Sequence, residues 1–164
     1  MAFDAFIKID GIEGESTDDQ HPGWIEIIAY RSGHSMPISK RTSSTQGATL
    51  GRVNFNTFTF SKLIDKSSPL LLSACAAGTH INEITVELCR AGTDKVKFIK
   101  YKFKNSLISS VLTSSGDPNN GFPVELVKIA FGKIEWCYRQ QNRSGGWALG
   151  HIAAAWDLQR NCKA

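Results

Sequence analysis

The chain reads as a mainly β protein with one short helix, and three features of its 164 residues predict this. Apolar and polar residues alternate with period two from end to end, the pattern of strands that bury one face. Clusters of Gly, Asn, Asp, Ser and Pro separate those runs and supply turn chemistry. Only Ser67–Gly78 carries paired signals for a helix start and a helix stop.

The expected organisation is a single domain over residues 1–164, because a chain this long buries about two-thirds of its unfolded surface without a disulfide or metal staple. Apolar residues make up 41% of it, which excludes extended disorder, and no apolar run approaches the ~20 residues of a membrane helix. Asp4, Lys8 and Asp10 interrupt the N-terminal apolar pattern, so neither a signal peptide nor membrane insertion is expected. Cys75, Cys89, Cys137 and Cys162 lack Cys-x-x-Cys spacing and read as reduced packing cysteines. Nineteen basic and fifteen acidic residues leave +4, too little to demand a nucleic acid or a lipid surface.

In the first strand Phe3, Ala5, Ile7 and Ile9 share a face, Asp4, Lys8 and Asp10 the other, with Phe6 the exception. Gly11–Gly23 is a polar connection, and Trp24–Tyr30 resumes the β pattern. Arg31–Leu50 is a long extended loop, rich in Ser, Thr, Gly, Lys and Arg. Compact domains seldom carry a structureless connection of this length unless it is functional or disordered. Arg52–Ser61 is the next strand; its apolar side changes between Phe55 and Phe58, which predicts a bulge near Asn56-Thr57.

The helix is predicted over residues 69–77: Ser68 caps it, Pro69 opens it and Gly78 takes the left-handed exit. Being apolar nearly all round, it is expected to close one end of the β structure. With Ala91–Asp94 as a turn, residues whose numbers sum to about 185 face each other in the hairpin that follows. That register sets Glu83 opposite Lys102, with Lys100 diagonal to Glu83 and Glu87. Further strands are Leu107–Thr113, the long Val124–Tyr138 with a bulge at Gly132, and Trp147–Leu158.

No catalytic or metal motif emerges. His21, His34, His80 and His151 are scattered, without partners at ligand or triad spacing, and read as structural. Glu13, Glu15, Asp18 and Asp19 form a solvated turn lacking the ordered alternation of a calcium loop. Lys95, Lys97, Lys100, Lys102 and Lys104 alternate with Phe98, Tyr101 and Phe103, a pattern that invites nucleic acid. Tyr101 and Phe103, however, fall on the opposite face from Lys100, Lys102 and Lys104, so a charged outer surface is the expected use. Asn142-Arg143-Ser144 matches a glycosylation triplet by coincidence.

Several stretches, in order, resemble the Hcp family, the tube proteins of the bacterial type VI secretion system. They are Phe3–Asp10 with Gly14-Glu15-Ser16-Thr17-Asp18-Asp19 and Trp24–Tyr30, Ser68-Pro69, Ala74–Ile81, Lys133-Ile134-Glu135-Trp136 and Ala155-Trp156-Asp157-Leu158. The resemblance implies a compact β-barrel of two packed antiparallel sheets with one flanking helix. It further implies hexameric rings stacked into a hollow tube, without catalysis or cofactor. The implied partners are other copies of the chain, a spike protein, a contractile sheath, and effectors held and protected in the ring lumen. Assembly is implied in the bacterial cytoplasm, followed by secretion through the same machine.

On this reading the stacking contact falls to the extended loop, through Arg31, Ser35, Met36, Ile38, Lys40, Arg41 and Leu50. The outer hairpin face, with Glu83, Glu87, Lys100 and Lys102, is a candidate subunit contact. The competing reading is a monomeric β-sandwich module that binds a polyanion or ligand through the lysine-rich hairpin.

Overall fold

The computed structural model describes residues 3–38, 51–90, 95–115, 121–141 and 147–164. Its elements run β1 (Phe3–Ile9), β2 (Ile25–Ile27), β3 (Ala29–Arg31), β4 (His34–Ser35), β5 (Asn54–Phe55), β6 (Phe58–Leu63) and α1 (Ser68–Ala77), then β7 (Ile81–Arg90), β8 (Lys97–Ser114), β9 (Val124–Gln141), β10 (Trp147–Asp157) and β11 (Cys162–Lys163). The main sheet has the order β11-β10-β9-β8-β7-β1-β2, with β3 paired to β6 and β6 to β9; β4 and β5 form a separate ribbon. Since β2 and β3 are one stretch broken only at Ile28, these pairings return on themselves through the chain. Ile28 N–H donates to Ser61 O at 2.8 Å and holds that corner.

The enclosed side carries the core. Ile7, Ile25, Phe58, Phe60, Ile84, Val86, Phe103, Val127 and Ile129 are fully buried there. Burial of each such side chain stabilises the fold by about 1.5–3 kcal/mol, and Phe58 packs on Phe103 with ring centroids 4.9 Å apart. Phe3, at the start of the strand, is 44% exposed but meets the core-packed Tyr30 ring edge-on at 6.4 Å, whereas Phe6 is buried on the opposite face of β1.

The expected bulge at Gly132 is instead a bend of the whole sheet. The buried phase slips between Ile81 and Ile84, between Phe103 and Ser106, and between Phe131 and Ile134, on three adjacent strands. Pairing stays in step across that line, from Lys104↔Lys133 to Ser106↔Phe131, and the register shift lies at Ile108/Ser110. Asn105 takes φ 52° beside the line, and a Cβ on Gly132 would stand 3.2 Å from Asn105 Cβ. The edge of β9 changes partner here: Val124–Ile129 pair with β6, while residues from Lys133 onward pair with β10. For the same reason β8 is one strand of 18 residues rather than two.

Residue 67, not Ser68, occupies the N-cap of α1 and makes no side-chain capping bond; Gly78 closes the helix at φ 61°, as expected. Ser68 is buried and spends its hydroxyl on Glu125 Oε2, 2.7 Å away. Leu71 and Ala74 face the core, while Leu70 and Leu72 are about half exposed. In place of the bulge expected near Asn56-Thr57, the strand is interrupted, and β5 ends before β6 begins.

Candidate assembly surface

The β7–β8 register sums to 187, two more than the sequence reading, so Glu83 faces Lys104 and Glu87 faces Lys100. A shift of two preserves the face of every side chain, which is why the lysines still point outward. Lys102 reaches Glu83 diagonally at 3.1 Å, Lys104 reaches Glu135 at 3.2 Å, and Lys97 and Lys100 reach Glu87 at 2.7 and 3.1 Å. Tyr101 and Phe103 pack inward against Phe58. With these lysines engaged by carboxylates and the aromatics turned away, the face lacks the stacking platform a polyanion site uses.

Glu87 is not on the accessible surface, since only 5% of it is exposed. Residues 10–24 fold over the outer face of β1 and β7 and bury His21 completely. Its ring stacks on Phe6 at 4.2 Å with an interplanar angle of 5°, and Trp24 meets it edge-on at 4.9 Å. Nδ1 donates to Asp18 Oδ1 at 2.7 Å and Nε2 to Glu87 Oε2 at 3.0 Å. Two carboxylates facing both ring nitrogens require an imidazolium. Lys95 pairs with Asp18 and lies 5.3 Å above the Phe6 ring. Asp18 is therefore not part of a solvated turn.

Cys89, His21 and Asp18 form a constellation that resembles a nucleophile, a base and an orienting acid. The geometry disarms it: Cys89 and His21 are both fully buried, and the charged imidazole has no lone pair with which to take a proton. Burial alone would lower the His21 pKa, but hydrogen bonding to Cys89, Glu87 and Asp18 outweighs it and raises it from 6.5 to about 9. Burial would raise Asp18 and Glu87, yet hydrogen bonds from Lys95 and His21 to the first, and from His21, Lys97 and Lys100 to the second, bring both down to about 2.

The signs give a stability window. The His21 contribution, of the order of 3 kcal/mol, is complete below pH 6.5 and lost as pH rises through about 9. The carboxylate contributions are complete above about pH 4.5 and lost toward pH 2. The urea midpoint should thus fall on the alkaline side between pH 7 and 9, and His21→Gln should flatten that limb while lowering the plateau. An alkaline limb unchanged by the substitution would refute the charged clamp.

The predicted loop is ordered at its root. Arg31 belongs to β3 and Ser35 to β4, which pairs with β5 through His34↔Phe55 and Ser35↔Asn54. His34 stacks on Phe55 at 5.2 Å, and both rings lie against Trp136, at 5.9 and 6.4 Å. Gly51 N–H donates to Pro37 O at 3.0 Å, a closeness that needs glycine because a Cβ would sit 2.7 Å from Pro37 Cγ. Arg52 Nη2 donates to Leu158 O at 2.6 Å. Met36 and Ile38 are 43% and 64% exposed; Lys40, Arg41 and Leu50 lie outside the described residues.

Strand β10 supplies a feature that the sequence reading missed. One edge pairs with β9, but the other meets β11 only at Trp156 and Asp157, plus a 3.3 Å bond from Ala164 N–H to Ala155 O. Among the described residues His151–Ala154 have no strand partner on that side, and Ile152 is 74% exposed. An open, small and apolar strand edge is a template for another chain. The run Ile152-Ala153-Ala154-Ala155, free of charge, was its available signal. Among the described residues no group of three His, Cys, Asp or Glu side chains is placed to hold a metal ion, and no helix is long and apolar enough to cross a membrane.

Residues 6–138 match the family model described as "Type VI secretion system effector, Hcp". The chain is 33% identical to the protein hcp1 of Pseudomonas aeruginosa over 165 residues, covering 100% of both chains. It superposes on a solved structure described as a type six secretion system protein with a TM-score of 0.92 at 32% identity, covering 99% of this chain and 100% of that one. On Hcp1 of Salmonella typhimurium the TM-score is 0.78 at 29% identity, with both chains covered in full.

Proposed function

The chain belongs to the Hcp family of type VI secretion tube proteins, and on that premise we propose that it assembles into hexameric rings that stack into the machine's hollow inner tube. The observation that carries the ring is the open edge of β10. An edge of this kind in a soluble protein is covered, blunted or paired, and a neighbouring copy that seals it with a different patch of its own makes a head-to-tail contact that closes into a ring. The charged belt of Glu83, Lys100 and Lys102 borders that strand through β9 and is a polar rim for the same contact; Glu87 acts beneath it as a buried anchor for Lys97 and Lys100.

Stacking is assigned to the segment that leaves the barrel between Ser35 and Gly51. Met36 and Ile38 are exposed at its start, and the sequence that follows holds Lys40 and Arg41, an apolar and cationic composition suited to a contact with the next ring. The assembled tube is proposed to engage a spike protein and a contractile sheath, to hold effectors in its lumen, and to leave the cell with them after assembly in the cytoplasm. The test is export: the chain should appear in the medium of cells with a working contractile machine and stay cell-bound when the sheath is removed. Release that ignores the sheath would contradict the proposal.

A further inference from the structure

We infer that the groove over Ile28, Leu63 and Ile64 is the receptor for the basic 36–50 segment of a second copy of this chain in the adjoining ring; this rests on the stacking reading above. The groove has a volume of about 460 Å³ and lies where β2 gives way to β3 and β6 ends. Its floor is apolar and uncovered, with Ile28 55%, Leu63 47% and Ile64 47% exposed. Glu15, Glu26 and Asp65 rim it. Asp65 is held by Lys62 at 2.8 Å. Glu15 accepts from Lys66 N–H at 2.9 Å and Glu26 from Ser16 Oγ at 3.0 Å, and neither is in an ion pair among the described residues.

The sequence separates charge to match. Residues 1–26 hold seven carboxylates against Lys8 and the buried His21 cation, whereas residues 27–64 hold five lysines and arginines and no carboxylate. Position matters as much as sign. Along β6 the chain runs from the loop root at Asn56 to the groove at Leu63, and β3 runs back from Ile28 to Arg31. At ~3.3 Å per residue the two features are set roughly 17 Å apart or more, at opposite ends of one strand pair. A groove at one end and its complementary segment at the other make a heterologous contact that repeats without closing, which is what a stack of rings requires. Exposed Met36 and Ile38 match the floor, and Lys40 and Arg41 match the two carboxylates that lack a cation.

Sedimentation of the full chain at rising concentration reads ring and stack separately. Wild type should pass from ring mass to multiples of it. Glu15→Lys/Glu26→Lys should keep the ring and stack at least about tenfold more weakly, since like charges now meet across the contact. Adding Lys40→Glu/Arg41→Glu to that variant should restore stacking. Unimpaired stacking after reversal, a compensated variant that stays at single rings, or a wild type that never passes ring mass would each overturn the assignment. So would a reversal that dissolves the rings, which would place the groove between neighbours within a ring. A wild type that never reaches ring mass at all contradicts the tube reading instead, so the two failures are distinguishable.

Discussion

Glu125→Ala is expected to destabilise the barrel by about 3–5 kcal/mol, close to the whole margin of a weakly stable domain. Lys62 is fully buried on β6 and Glu125 is 1% exposed directly opposite on β9. Their side chains meet at 3.0 Å, and Ser68 bridges them from the first turn of α1, 3.0 Å from Lys62 Nζ and 2.7 Å from Glu125 Oε2. Removing the carboxylate strands an ammonium away from water with only Asp65, 2.8 Å away, to answer it. It also frees Ser68, and with it the seating of the helix. Lys62→Met/Glu125→Leu should recover most of the loss, because an apolar pair of similar volume carries no desolvation cost. The urea midpoint at fixed protein concentration reads both. A loss below about 1 kcal/mol for Glu125→Ala would show that the network is not the buttress described here.

Replacing residues 39–50 with a short Gly/Ser linker is expected to leave rings intact while abolishing stacking and export. The sequence alone suggests excising all of Arg31–Leu50. The structure narrows the cut, because Arg31 pairs with Thr59 in β3–β6 and His34 and Ser35 pair with β5. The His34 and Phe55 rings also cover Trp136. Excision from Arg31 would therefore strip a wall of the barrel and confuse a folding defect with an assembly defect. The narrower variant keeps the Gly51–Pro37 neck and tests the segment beyond it. Ring mass retained with stacks absent from electron micrographs and no protein in the medium is the predicted outcome; normal export by this variant would remove the loop from the assembly mechanism.

What could be read from sequence, and what could not, divides by the range of the interaction. Period-two alternation located the strands because one buried face imposes it locally, and Gly78 marked the end of α1 because the left-handed exit is a property of one residue. The outward face of the lysine hairpin followed as well, although its register was two residues off, since parity survives such a slip. His21 was not legible, because its partners Glu87 and Cys89 are brought to it by the β1–β7 pairing and lie more than sixty residues away in the chain. The bend at Gly132 looked like a bulge of one strand because the matching slips in β7 and β8 show only when the three are laid side by side. Lys62 and Glu125 did leave a trace: Lys62 continues the phase of Phe58 and Phe60, and Glu125 that of Val127 and Ile129. A charge that continues a buried phase on each of two strands is the signature of an internal ion pair.

A chain that works as a ring subunit and not as a monomer must show it in its mass. The mass of the purified protein in solution at micromolar concentration tests it most directly. Six chains of 18.0 kDa should give a species near 108 kDa. An 18.0 kDa monomer persisting at high micromolar concentration would contradict it.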